Sequence, residues 1–433
     1  MTALGDRDPE ALPGRAGSRV HSYAWVILVA GFLVTMSGIG VGRYLYQVVL
    51  PVMKDSLGLS YAPAGALASA IMVGYLVSCL VSGVLAVRFG SRLIIAICTL
   101  AVGFAMVGQG LSSWYPLTFF LMFVIGMGAG GAYIPTTGLI AAWFPPERRG
   151  TFMSIATIGA NFGILFTAVL APRVLEAYGG TGWRPAWIYF GISGVGVGVI
   201  ALLAMRDGPP SMNRQQGKPA SGAKPPTQNW GAVFQNRSIL GLTIAYLCHG
   251  FFSVYLVFLS AFATRGLGYS NEFAGNLWTL VAVVSVLSLI PWGYLSDRWG
   301  RKEALIPCAL MLLAGILIPV FRQDVPSLLV SATLFGIAYV GPMTIITVTA
   351  GDIVGPAMGA AAMGLVTMGH GIGQMAGPGI GGILIDLSGS FYPGFLLAAA
   401  GICAEIIIIS RMALPKARGR TTAILSPGQT QDQ

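Results

Sequence analysis

The chain has 433 residues, of which 55% are hydrophobic and only 9% charged, whereas a soluble domain is usually about 25% charged. So few charges cannot cover a water-facing surface, which excludes a soluble enzyme, a disordered chain and a DNA-binding protein. Twenty-five Lys and Arg against 15 Asp and Glu leave a net charge of +10, and where those charges fall says more than their sum.

A polar tail (1–23) precedes the first apolar run, about 24–53. That run is too long for a signal-peptide core and has no cleavage site, so it reads as a retained transmembrane helix. A bilayer core of about 30 Å takes roughly 20 residues of helix. On that measure eleven more spans follow, near 61–87, 93–111, 116–143, 151–174, 185–205, 238–263, 272–295, 304–321, 326–350, 358–386 and 391–412. Between the sixth and seventh lies a Pro-rich polar stretch, 207–237, that reads as a linker between two six-helix bundles, 24–206 and 238–412, with a tail at 413–433. Nineteen of the 25 basic residues fall in the N-terminal tail, the even-numbered loops with the linker, and the C-terminal segment from Arg411 onward. An excess of Lys and Arg marks the cytoplasmic side, which places both termini there.

Arg43, inside span 1, is the sharpest local signal. A guanidinium in the membrane costs a few kcal/mol or more and normally faces a cavity with a partner. Its planar fork suits a carboxylate, and Gln47 follows four residues later on the same face. The alternative is snorkelling to the interface, since Lys54 and Asp55 are near. Tyr133 in span 4, Asn161 in span 5 and Tyr339 in span 10 offer polar groups that either meet a solute or bond neighbouring helices. His249 in span 7 and His370 in span 11 are the histidines inside spans. Either takes a proton near neutral pH or serves as a packing residue. Gln374 lies one turn after His370. Glu405 is a carboxylate deep in span 12, where acidic residues are functional candidates by default.

The five cysteines are scattered through apolar stretches and suggest neither disulfides nor a metal framework. No phosphate-binding loop, metal-ligand cluster or catalytic set occurs. Neither enzyme activity nor a cofactor is therefore expected, and no nucleic-acid partner.

The two halves repeat at an offset of 210 residues. Gly83 to Arg92 matches Gly293 to Lys302, Leu57-Gly58-Leu59-Ser60 matches Leu267-Gly268-Tyr269-Ser270, and Ala64-Gly65 matches Ala274-Gly275. Two duplicated bundles hold a solute between them near the midplane and rock to expose it alternately. The same offset sets Tyr246, His249 and Ser253 on the face that carries Met36, Ile39 and Arg43.

Over nearly its whole length the sequence resembles the major facilitator superfamily. The loop motif G-x-x-x-D-R-x-G-R-[RK] stands in the second half as Gly293, Asp297, Arg298, Gly300, Arg301 and Lys302. The first copy departs from it, with Val87 for the acid and Ser91 for a basic residue. The resemblance implies a gating role for Asp297, Arg298 and Arg301, against a simple polar turn. Finer similarity joins Trp143 to Gly150, Gly182-Trp183-Arg184 and the stretch from Arg43 to Pro51 to the oxalate/monocarboxylate transporters and anion:cation symporters. In the latter, an Arg at this place meets the substrate carboxylate. Their span 4 acid is replaced by Gly130. Span 12 is peripheral in that fold, which weighs against Glu405.

The expectation is an all-α membrane protein, twelve transmembrane helices in two pseudo-symmetric six-helix bundles with the major facilitator fold. It would act as a monomer in the inner membrane, moving a small organic anion such as a monocarboxylate, coupled to protons. Arg43, Gln47, Tyr133, Asn161, His249, Ser253, Tyr339, His370 and Gln374 are the candidate solute-binding residues. An efflux antiporter of the same fold is the alternative, and a non-transporting sensor a more distant one.

Overall fold

The computed structural model describes residues 14–144, 149–208, 234–355 and 358–414. Most of the expected linker, much of both tails and Pro145 to Arg148 lie outside the described residues.

Every described element is helical. The first half comprises α1 (Gly14–Thr35), a π-helical segment (Met36–Gly42), α2 (Arg43–Ser56), α3 (Tyr61–Phe89), α4 (Ser91–Leu111), α5 (Tyr115–Trp143), α6 (Arg149–Tyr178) and α7 (Trp183–Ala204). The second comprises α8 (Arg237–Gly250), α9 (Ser253–Ala261), a second π-helical segment (Phe262–Gly266), α10 (Asn271–Trp299), α11 (Arg301–Phe321), α12 (Val325–Tyr339), α13 (Gly341–Val354), α14 (Gly359–Ser388) and α15 (Tyr392–Arg411). Ten helical spans among the described residues, some joining two of these elements end to end, are long and apolar enough to cross a membrane, and α10, bent by 42°, makes eleven. The glycine-rich α14, 30 residues long, supplies a twelfth of sufficient length. This is consistent with the twelve expected spans.

The described chain forms two compact units. The first holds the first half together with Ser253–Ala282 and Gln374–Leu397, and the second holds the rest of the later helices. In the first unit, glycines let helices approach backbone to backbone. A Cβ added at Gly103 of α4 would stand 2.5 Å from the Val195 nitrogen of α7, and one at Gly191 of α7 would stand 2.7 Å from the Val107 nitrogen of α4. Ile27, Val34, Ile95, Ile140 and Trp143 fill its core near α1. Leu242, Leu305, Ile345 and Val366 anchor the core of the second unit.

The repeat is visible in reciprocal contacts within the first unit. Gly65 of α3 lies against the backbone of Pro378 in α14, and its offset partner Gly275 of α10 lies against Pro172 in α6. Asp55 pairs at 2.6 Å with Arg265, its own counterpart at the 210 offset. Asp386 accepts from the free backbone N–H groups of Tyr61 and Ala62, at 2.7 and 2.6 Å, where α3 begins. These groups lie in the loops poor in Lys and Arg.

The loop motif takes different forms in the two halves. In the second, Arg301 bonds Asp297 at 2.6 Å, Ser296 at 2.8 Å and Asp352 of α13 at 3.0 Å, while Arg298 donates to the Tyr294 hydroxyl. In the first, Val87 is 90% exposed where the motif has an acid. Asp207 instead accepts from the backbone N–H of Arg92 at 2.8 Å, capping the start of α4. Arg184 donates to the carbonyls of Gly110 and Ser112 and to the Ser113 hydroxyl. The Gly-Trp-Arg stretch therefore closes the C-terminal end of α4, where carbonyls have no helical partner.

Candidate functional site

Arg43 opens α2 directly after the π-helical segment. Gly38, Gly40 and Gly42 fall in that segment, and Gly40 seats against Gly163 of α6. Such π turns concentrate at functional sites because they re-aim the next side chain. At the offset positions of the second half the helix breaks instead. α8 ends at Gly250 and α9 begins at Ser253, the counterpart of Arg43. Both copies are thus irregular just before the residue that reaches the cavity.

Within the first unit, Arg43, Tyr44, Gln47, Met72, Ser253, Gln374 and neighbouring apolar residues line a cavity of about 30 Å³. Arg43 Nη2 donates to the side-chain oxygen of Gln374 at 3.0 Å and to the Met72 sulfur at 3.3 Å. The guanidinium carbon sits 4.9 Å from the centroid of the Tyr75 ring. None of the ion pairs among the described residues includes Arg43. Gln47 keeps a buried side-chain oxygen without a hydrogen-bond partner. Ser253 donates to the Gln374 carbonyl at 3.4 Å. The site thus presents a positive fork, adjustable amides and no resident counter-charge.

Four expected residues therefore meet here: Arg43, Gln47, Ser253 and Gln374. Tyr133, which interacts with Thr157 and Tyr75, is not among the lining residues. Asn161, half-buried on α6, is not among the lining residues. His249, Tyr339 and His370 belong to a second cluster inside the other unit. There His370 stacks on Tyr246 with ring centroids 4.1 Å apart. Tyr339 packs on Phe252 at 5.5 Å, and His249 Nδ1 lies 2.7 Å from Glu405 Oε2.

Sequence reasoning did not find Met72 and Tyr75 beside Arg43, because apolar and aromatic membrane residues carry no signal of their own. It also set Glu405 aside as peripheral, although the carboxyl is fully buried. The small residue Gly401, one turn earlier, was the available clue.

Comparison with known proteins gives a consistent picture. Residues 35–410 match the family described as "Uncharacterised MFS-type transporter YbfB". The chain is 25% identical over 383 residues to the probable sulfoacetate transporter SauU of Cupriavidus necator, covering 83% of this chain and 87% of that one. It is 25% identical over 327 residues to monocarboxylate transporter 12 of Rattus norvegicus, covering 68% and 66% of the two chains. Among solved structures, that of a D-xylose-proton symporter superposes with a TM-score of 0.74 at 18% identity, over 92% of this chain and all of that one.

Proposed function

We propose that this chain, which belongs to the MFS-type transporter family, carries a small organic anion across the inner membrane by alternating access, with Arg43 holding the anionic group. The cargo is a monocarboxylate or a related carboxylate or sulfonate, its transport is coupled to protons, and the monomer has both termini in the cytoplasm. The two halves, 24–206 and 238–412, are the bodies that rock.

One observation carries this reading: a largely enclosed guanidinium with no carboxylate beside it among the described residues. A buried charge left without a counter-charge is strongly unfavourable, and an anionic solute supplies what is missing. The Gln374 oxygen is a neutral stand-in. A carboxylate or sulfonate brings a full opposite charge and a second oxygen for the planar fork, which the amide oxygen lacks, and so displaces it. A volume of about 30 Å³ holds water and not cargo. The anion therefore enters as Gln374 lets go and α14 yields. The names of the relatives, a sulfoacetate and a monocarboxylate transporter, agree with this chemistry.

Thermal melting of the purified protein against lactate, sulfoacetate, glucose and tetraethylammonium tests the reading. A ligand at 100 times its Kd raises stability by about 2.7 kcal/mol. The anions should raise the melting temperature and the other two should not. Stabilisation by the cation alone would favour efflux of cationic compounds instead.

A further inference from the structure

We propose that His249 and Glu405 together form the proton-binding site of this transporter, taking up one proton for each singly charged anion carried at Arg43. Proton uptake at the pair stands on its own geometry, and only its coupling to cargo rests on the anion reading above.

Glu405 reaches His249 because α15 approaches α8 very closely. A Cβ added at Gly401 would lie 2.5 Å from the Cys248 carbonyl and 2.9 Å from the Phe251 Cβ. Glu405 follows one turn later on that same face. Both side chains are wholly buried, and Nδ1 and Oε2 are 2.7 Å apart. The other two polar atoms, His249 Nε2 and Glu405 Oε1, are buried with no hydrogen-bond partner. The titratable neighbours are Tyr246 and Cys248 on α8, Cys308 on α11, Tyr339 on α12 and His370 on α14. No Lys or Arg forms an ion pair with Glu405 among the described residues.

A pair serving structure alone gains little from being ionisable, since well-packed apolar residues of similar volume are often as stable. It gains nothing from two polar atoms left unpartnered. Both features suit a pair that changes its proton count. With neutral His249 donating Nδ1–H to ionised Glu405, the pair carries one negative charge. One added proton, on the unpartnered Oε1, brings it to zero while the Nδ1···Oε2 bond persists. In the described conformation that oxygen is sealed from solvent, so a proton held there is occluded.

Charge neutrality then links the two sites. Glu405 is the one buried carboxylate among the described residues. The empty carrier balances the Arg43 cation with the deprotonated pair. The loaded carrier balances Arg43 with the anion and neutralises the pair with the proton. A carrier holding only one of the two leaves an unpaired charge within the membrane, which is costly. By linkage, the anion raises proton affinity, and lower pH raises anion affinity by the same factor.

Infrared difference titration of the full-length protein tests proton uptake without any anion. The C=O stretch of a water-shielded protonated carboxyl should grow as pH is lowered. It should vanish in Glu405→Gln, persist in Glu405→Asp, and titrate at a different pH in His249→Gln. Adding lactate should move the wild-type titration to higher pH. In proteoliposomes each pH unit of gradient should concentrate lactate about tenfold. Glu405→Gln should lose that accumulation. A band that survives in Glu405→Gln, or no titrating band at all, overturns the proton site. If lactate and sulfoacetate both fail to bind the wild type, the anion reading falls, and the titration without anion still decides whether the pair binds a proton.

Discussion

At the scale of single residues, the chemistry reduces to one guanidinium and the amide that occupies it. Truncating one member of a buried, hydrogen-bonded charge pair costs about 2–5 kcal/mol. Arg43→Ala should therefore weaken anion binding by roughly 30-fold or more, by isothermal titration. Arg43→Lys keeps the charge but loses the planar fork, so binding should fall to an intermediate level. Gln374→Glu places a carboxylate where the amide now accepts from Nη2. It should neutralise the fork, abolish anion binding and leave the melting temperature unchanged or higher. The special position of Arg43 was legible in the sequence, because an intramembrane cation is rare whatever surrounds it. Its partner was not. Gln374 reads as one polar residue among several until the helices are brought together.

Among the helices, small residues decide where backbones meet, and carboxylates fix the ends. Asp386 accepts from two N–H groups at the start of α3. Losing a helix cap costs about 0.5–2 kcal/mol, so Asp386→Ala should lower the melting temperature by a few degrees. Gly65→Val thrusts a branched side chain into the Pro378 backbone. It should cut transport at least about tenfold, with Gly65→Ala intermediate, because an overpacked contact resists closing. The helices themselves were legible from apolar length alone. The 210-residue repeat foretold that Asp55 and Arg265 hold equivalent positions, though not that they pair. The π turn before Arg43 and the break before Ser253 left no periodic trace, since glycines there serve close packing equally well. For the same reason Asp207, at the end of α7, was not foreseen as the acid that caps α4.

On the scale of the whole molecule, sparse charge is the governing constraint. A chain with 9% charged residues keeps Arg43 in its first span and, as the one buried carboxylate among the described residues, Glu405 in its last, and on the proposed reading those two move an anion with a proton. The fold was legible because composition, span length, repeat and loop motif agree. The candidate site was legible only in part, because cavities arise from residues far apart in sequence. The most direct measurement is lactate and sulfoacetate counterflow in proteoliposomes, wild type beside Arg43→Ala at equal reconstitution and equal melting temperature. Counterflow of at least one of these anions by the wild type and none by the variant is the expected result. Equal counterflow by both proteins would show that the guanidinium does not hold the cargo.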